Sequence, residues 1–246
     1  TLSENIRPHV SIVCNFTKPT ESLPSLLTLN EVKTLFHEFG HALHNLLSEC
    51  RFQGLSGSNV FWDFVELPSQ ILENWVMESE CLDLFANHYE TGEKIPKKLI
   101  QKIKDSSNFQ EGLATLRQMK FSLIDMAWHS GDTSKVKSVI EFENDAASVA
   151  RITDAVANTN SSTSFSHIFQ GGYSAGYYSY KWAEVLDADA FELFKEKGIF
   201  NREVADLFRE HILSKGGSEH PMDLYKKFRG QGPTPTALLK RSGLIS

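Results

Sequence analysis

His37-Glu38-Phe39-Gly40-His41 places two imidazoles and a carboxylate at a spacing with chemical consequences. On an α-helix, residues i and i+4 lie on one face, so His37 and His41 can share one metal ion. Glu38, one residue on, lies beside that face, where it can reach a water on the ion without crowding the ligands. Zinc lowers the pKa of such a water toward ~7, and a carboxylate takes the proton as the oxygen attacks a carbonyl. Ordinary residue frequencies give this H-E-x-x-H pattern by chance in a chain of this length on the order of once in a hundred. The pattern predicts a zinc-dependent hydrolase with His37 and His41 as ligands and Glu38 as general base. His44, one turn later, reads as a packed or hydrogen-bonded support for the ligands, which commonly need outer partners.

A catalytic zinc takes a third protein ligand and keeps one position open. The long pattern H-E-x-x-H-x-x-G-x-x-H fails, because His44 stands at its glycine and Leu47 at its third histidine. The third ligand is then a carboxylate on the following helix. Asp63, Glu66 and Glu73 are candidates, with Glu66 best placed at the helix start. Ser69, Gln70 and Glu73 share its face at i+3, i+4 and i+7 and can hold the ligands in place.

The elements that must position these groups are helical. Thr28-Leu29-Asn30-Glu31 fits a capping box at the head of a helix over 28–50. Val32, Leu35, Phe36, Phe39, Leu43 and Leu46 recur at helical spacing and predict one apolar face. A second long helix is expected from between Asp63 and Pro68 to about Tyr89, with Pro68 tolerated in its first turn. Further helices are expected at 96–105, 109–129, 174–197, 201–213 and 221–228, and over 134–156. Residues 9–16 alternate Val10, Ile12 and Cys14 with Ser11, Val13 and Asn15 and predict a strand. Residues 51–63 read as a loop with or without a short hairpin, and 157–166 as an exposed mobile loop. The fold class is mainly α with a small β-sheet, in one domain over 1–246.

The 246 residues suffice for a buried core, and 41% apolar with 23% charged residues is ordinary for a globular protein. A net charge of −6 without a long Lys/Arg run argues against nucleic acid. Cys14, Cys50 and Cys81 are odd in number and make no CxxC, which points to reduced thiols of a cytosolic protein. Residues 1–8 carry no apolar leader core, and no apolar run approaches the roughly 20 residues that span a bilayer.

Longer segments around the motif resemble the M3 family of zinc metallopeptidases, the thimet oligopeptidase family, and within it the bacterial oligopeptidase A type. They are residues 34–44, Trp62-Asp63-Phe64-Val65-Glu66-Leu67-Pro68-Ser69-Gln70, Phe165-Ser166-His167-Ile168-Phe169, Gly171-Gly172-Tyr173, Gly176-Tyr177-Tyr178-Ser179-Tyr180, Gly216-Gly217-Ser218-Glu219 and Phe228-Arg229-Gly230. The resemblance implies a zincin-like helical catalytic domain holding one Zn2+, with Glu66 as third ligand. It implies that Tyr180 stabilises the oxyanion and that His167, Tyr173 and Tyr177 bind substrate or transition state. It implies, too, that the glycine-rich loop with Gly171 and Gly172 contacts substrate. The residues agree in part: the glycines suit a segment that closes over a ligand, and Tyr173, Tyr177 and Tyr180 at i, i+4 and i+7 predict one helix face. The resemblance also implies that this chain is the C-terminal catalytic part, without the N-terminal helical half that roofs a channel.

The resulting expectation is a cytoplasmic, monomeric zinc oligopeptidase that cuts short peptides internally, with no nucleic acid or membrane partner. Two alternatives stand beside it. One is a zinc-binding fragment with little activity without its N-terminal half; the other is a peptidyl-dipeptidase.

Overall fold

The computed structural model describes residues 6–154 and 156–245. Part of the stretch read for a leader and one position of the 134–156 segment lie outside them. The chain is organised as eleven α-helices among the described residues, with short 3-10 turns and a π-helical turn at Arg209–Leu213 among the connections. They are α1 Leu29–Leu46, α2 Leu67–Glu73, α3 Ser79–Phe85, α4 Lys97–Ser107, α5 Glu111–Ser130, α6 Val139–Ala146, α7 Ser166–Phe169, α8 Ser179–Lys197, α9 Arg202–Phe208, α10 Pro221–Arg229 and α11 Thr236–Arg241. They fall into two compact units, one of Thr1–Asn108 with Ala183–Ser246 and the other of Phe109–Trp182.

In the first unit, α1 begins where its capping box predicts. Thr28 Oγ1 accepts the Glu31 N–H at 3.3 Å, and Glu31 Oε2 accepts the Thr28 N–H at 2.7 Å. Hydrogen bonds from Thr28 and Thr17 hold the exposed Glu31 carboxyl down at about 2. The buried positions of α1 are Gly40, Ala42 and His44, whereas Phe39 and Leu46 of the expected apolar stripe are 48% and 43% exposed. The packing face is thus rotated toward the histidines, because α2 approaches α1 at Gly40. A Cβ at Gly40 would stand 2.2 Å from the Pro68 carbonyl oxygen and 2.5 Å from Ser69 Cα, so only glycine permits this approach.

The second long helix is broken. A 3-10 turn over Trp62–Phe64 precedes α2, and a second over Asn74–Met77 separates it from α3, with Glu78 extended. The Asn74 side-chain amide donates to the Ile71 carbonyl at 3.0 Å, which competes with continued helix. Behind α2 lies an aromatic core. Trp75 meets Phe191 and Phe194 edge-on at 4.7 and 4.9 Å, Phe208 meets Phe228 at 5.1 Å, and Leu67, Ile71, Val76 and Leu224 are fully buried among the same helices.

The second unit packs Trp128 of α5 on Phe142 of α6 at 4.3 Å and Phe121 on Phe165 at 5.1 Å. The expected helix over 134–156 is confined to α6, between 3-10 turns at Thr133–Lys135 and Ser148–Ala150.

The small β-sheet is not formed among the described residues, where an isolated bridge between Asn87 and Lys94 is the extent of ladder pairing. Residues 9–16 keep their period of two: Val10, Ile12, Cys14 and Phe16 are half-buried and Ser11, Val13 and Asn15 exposed. Alternation sets which side chains turn inward, but a strand also needs a neighbouring edge, and no described segment supplies one. Residues 51–63 likewise contain 3-10 turns and no hairpin.

Candidate active site

His37 and His41 project from the same side of α1, their rings 5.0 Å apart and nearly perpendicular. Glu66 immediately precedes α2, which the close contact at Gly40 brings against α1, and is 3% exposed. Its Oε2 lies 3.4 Å from His37 Nε2 and 3.3 Å from His41 Nε2, so three ligand atoms from α1 and the head of α2 converge. One ligand atom from each of these residues lies within 4.8 Å of the others.

The donor set fits a metal ion. Glu73 Oε1 accepts a hydrogen bond from His37 Nδ1 at 2.8 Å, which in the neutral ring leaves the Nε2 lone pair facing the cluster. Ser69 Oγ donates to Glu66 Oε2 at 2.8 Å and fixes that carboxylate. Burial opposes a charge on His37, but hydrogen bonds to Glu66 and Glu73 and their charges more than offset it and push the imidazole up to about 10. The cluster therefore favours a cation at this point, a proton or a metal. Two imidazoles and one carboxylate are a ligand set suited to a catalytic divalent metal.

Of the three carboxylates open as the third ligand on spacing, Glu66 is the one whose oxygen reaches both Nε2 atoms, while Glu73 contacts His37 on its far nitrogen. Glu38 is half-buried, one residue along α1 from His37. His44 is fully buried and neither ring nitrogen forms a hydrogen bond. Burial, with the charge of His41 adding to it, pulls its pKa down to about 4. His44 is thus a neutral packed side chain.

In the second unit His167, Tyr173, Tyr177 and Tyr180 also come together. Tyr173 stacks on Tyr180 at 4.8 Å, Tyr177 meets Tyr180 edge-on at 5.3 Å, and His167 lies 6.0 to 6.5 Å from all three rings. The means differ from the expected helix face, because α8 begins at Ser179, residues 174–178 form turns and Tyr173 precedes them. Gly171 and Gly172 make the bend after α7, where Tyr173 donates its N–H back to the His167 carbonyl and Gly172 adopts a φ of 83°. Tyr177 donates its hydroxyl to Gln118 Oε1 at 3.1 Å, and burial pushes its pKa up, so it is a neutral donor at neutral pH.

Two buried acids, not singled out in the sequence, shape this region. Asp125, fully buried in α5, accepts the N–H groups of Ala175 and Tyr177 at 2.9 Å each and a hydrogen bond from His129 Nδ1. Glu143 of α6 accepts the N–H groups of Ser161 and Ser162 and the Ser162 hydroxyl. Burial works against its charge, but these bonds and Lys120 hold its pKa below the ordinary value. Residues 157–166 are therefore not simply an exposed loop: Ser162 and Phe165 are buried. An acidic residue at helical spacing gives no sign of a loop partner 50 positions away.

Comparison with known proteins adds the family. Relatives include oligopeptidase A of Escherichia coli, 47% identical over 97% of this chain and 35% of its own length. A probable cytosolic oligopeptidase A of Arabidopsis thaliana is 40% identical with the same coverage. A dipeptidyl carboxypeptidase of Salmonella typhimurium is 40% identical over 99% of this chain and 36% of its own length. The chain thus spans about a third of the length of these relatives. The family description Peptidase family M3 matches residues 3–244, and the chain belongs to that family.

Proposed function

We propose that this chain is the zincin-like, zinc-binding catalytic part of a cytoplasmic, monomeric oligopeptidase that hydrolyses internal bonds of short peptides. The reading rests on the convergence of His37 Nε2, His41 Nε2 and Glu66 Oε2, with Glu73 orienting His37 from behind. His37, His41 and Glu66 would hold one Zn2+, which supplies a Lewis acid and lowers the pKa of water toward ~7. Glu38 takes the proton of the attacking water and returns it to the leaving amine. On the family pattern, Tyr180 and His167 donate to the developing oxyanion, a role suited to neutral, preorganised donors. Tyr173, Tyr177, Gly171 and Gly172 bind the peptide. Glu73 fixes the His37 tautomer, and His44 packs beneath the site.

A second reading is carried by the dipeptidyl carboxypeptidase relative: the same chemistry would then remove C-terminal residue pairs. A third follows from the share of the relatives covered, namely zinc binding with little turnover until the remaining two thirds are supplied. One experiment separates them. The zinc-loaded chain is incubated with quenched peptides of several lengths and the products are weighed. Internal fragments support the oligopeptidase, successive loss of C-terminal pairs supports the second reading, and bound zinc without cleavage supports the third. Failure to hold zinc would sink all three.

A further inference from the structure

Behind Glu73 lies a charged cluster that the reaction does not use. Asp187 of α8 is 2% exposed and pairs with Arg241 of α11 through two contacts, Nη1 to Oδ1 at 2.5 Å and Nη2 to Oδ2 at 3.2 Å. Asn74, the residue after α2, closes the triangle. Its amide nitrogen donates to Asp187 Oδ1 at 2.9 Å, and its oxygen accepts from Arg241 Nη1 at 2.8 Å. The same amide nitrogen donates to the Ile71 carbonyl. Three helices are thus tied at one point, and the tie grips the end of α2. Burial pushes the Asp187 carboxyl up against the pull of Arg241, while Arg241 stays charged, and Asn74 follows Glu73 directly, so the tie lies one residue from the His37 partner.

Apolar residues of similar volume would fill this space at no greater cost than a desolvated ion pair. What the paired guanidinium adds is direction, since its planar fork accepts one orientation of the carboxylate. We infer that Asp187 and Arg241 are positioning residues of the metal centre: through Asn74 they fix the end of α2 from which Glu73 reaches His37 Nδ1. The inference rests on the zinc reading above. The pair acts by holding the partner that selects the His37 tautomer.

The test is zinc affinity, measured on this chain by competition with a chromophoric chelator, together with the histidine side-chain 15N and proton signals of the zinc-free chain. Arg241→Gln and Asp187→Asn should weaken zinc binding roughly 10-fold, at the low end of the loss seen when partners of metal ligands are removed, and should shift the His37 Nδ1 proton signal. Arg241→Lys should recover part of the affinity, since the charge returns without the fork. Tyr225→Phe is the control. It deletes buried bonds to the Leu186 carbonyl and Asp189 in the same unit without touching Asn74, so it should lower the melting temperature but leave zinc affinity unchanged. Unchanged affinity and an unmoved His37 signal in Arg241→Gln would overturn the inference. So would a Tyr225→Phe variant that loses as much affinity at equal loss of melting temperature, since that would mark a general stability effect. If the unchanged chain binds zinc no better than His41→Ala, the zinc reading itself has failed, and the His37 Nδ1 signal alone then decides whether the pair positions Glu73.

Discussion

Around His37, His41 and Glu66 the reactive side chains ride on two packed helices, whereas around Tyr173, Tyr177 and Tyr180 they ride largely on turns held by buried carboxylates. The first arrangement takes its geometry from the pitch of α1 and from one close backbone approach at Gly40. The second takes its geometry from hydrogen bonds that Asp125 and Glu143 accept from backbone N–H groups distant in sequence. A helix-borne cluster is stiff because its parts share a core. A loop-borne cluster is only as fixed as the few polar bonds that hold it.

Substitutions that act on one region and spare the other would break or sharpen this contrast. The largest effect is expected at Gly40. In Gly40→Val the new side chain meets the Pro68 backbone, which cannot yield, so α1 and α2 must part. A loss of about 3 kcal/mol or more is expected from overpacking against backbone, with Glu66 drawn away from the histidines and zinc affinity lost. Denaturant melts with chelator competition check both, and a variant of unchanged affinity would refute the close approach as the source of the geometry.

His44 gives the next effect, in acid. Its pKa is near 4 in the folded chain against an ordinary 6.5, so between these values the unfolded chain binds a proton that the folded one excludes. Stability therefore falls as pH drops from about 6.5 toward 4, by at most about 3 kcal/mol from this group, and its contribution is flat above and below that window. Urea melts of the zinc-free chain against pH should show this slope, and the difference between the parent and His44→Leu isolates it. Parallel curves would contradict a neutral buried imidazole.

In the loop region, Asp125→Ala leaves the Ala175 and Tyr177 N–H groups without their acceptor, at a cost of about 2 kcal/mol. Faster hydrogen exchange at those two amides with zinc affinity intact is the expected pattern. Loss of zinc affinity would erase the distinction between the regions. Tyr177→Phe removes a single bond to Gln118 and should cost about 1 kcal/mol, visible as a small shift in melting temperature.

The same contrast explains what could be read from the sequence. His37 and His41 were legible because a helix converts a spacing of four into a shared face, and Thr28 with Glu31 because a capping box is local. On spacing alone Glu66 is one of three carboxylates, and the packing of α2 on α1 is what sets its oxygen between the two imidazoles. Gly40 was invisible as a contact, since nothing local says what approaches it. Asp125, Glu143 and the Asp187–Arg241 pair were unreadable for the same reason, their partners lying far along the chain. The helix expected to run to Tyr89 ends at Glu73 because Asn74 turns its amide onto the Ile71 carbonyl and toward α8. Residues 9–16 show the limit from the other side: the alternation is real, but the sheet it suggested needs a partner that no described segment provides.

The central claim is that a metal held by His37, His41 and Glu66 works with Glu38 as base. Its most direct test compares the chain with Glu38→Gln for zinc content and for cleavage of a quenched peptide. The account predicts one zinc in both proteins and cleavage by the unchanged chain alone, with activity in Glu38→Gln lowered by at least ~100-fold, as expected for loss of a general base. Equal cleavage by the two proteins, or no zinc in either, would contradict it.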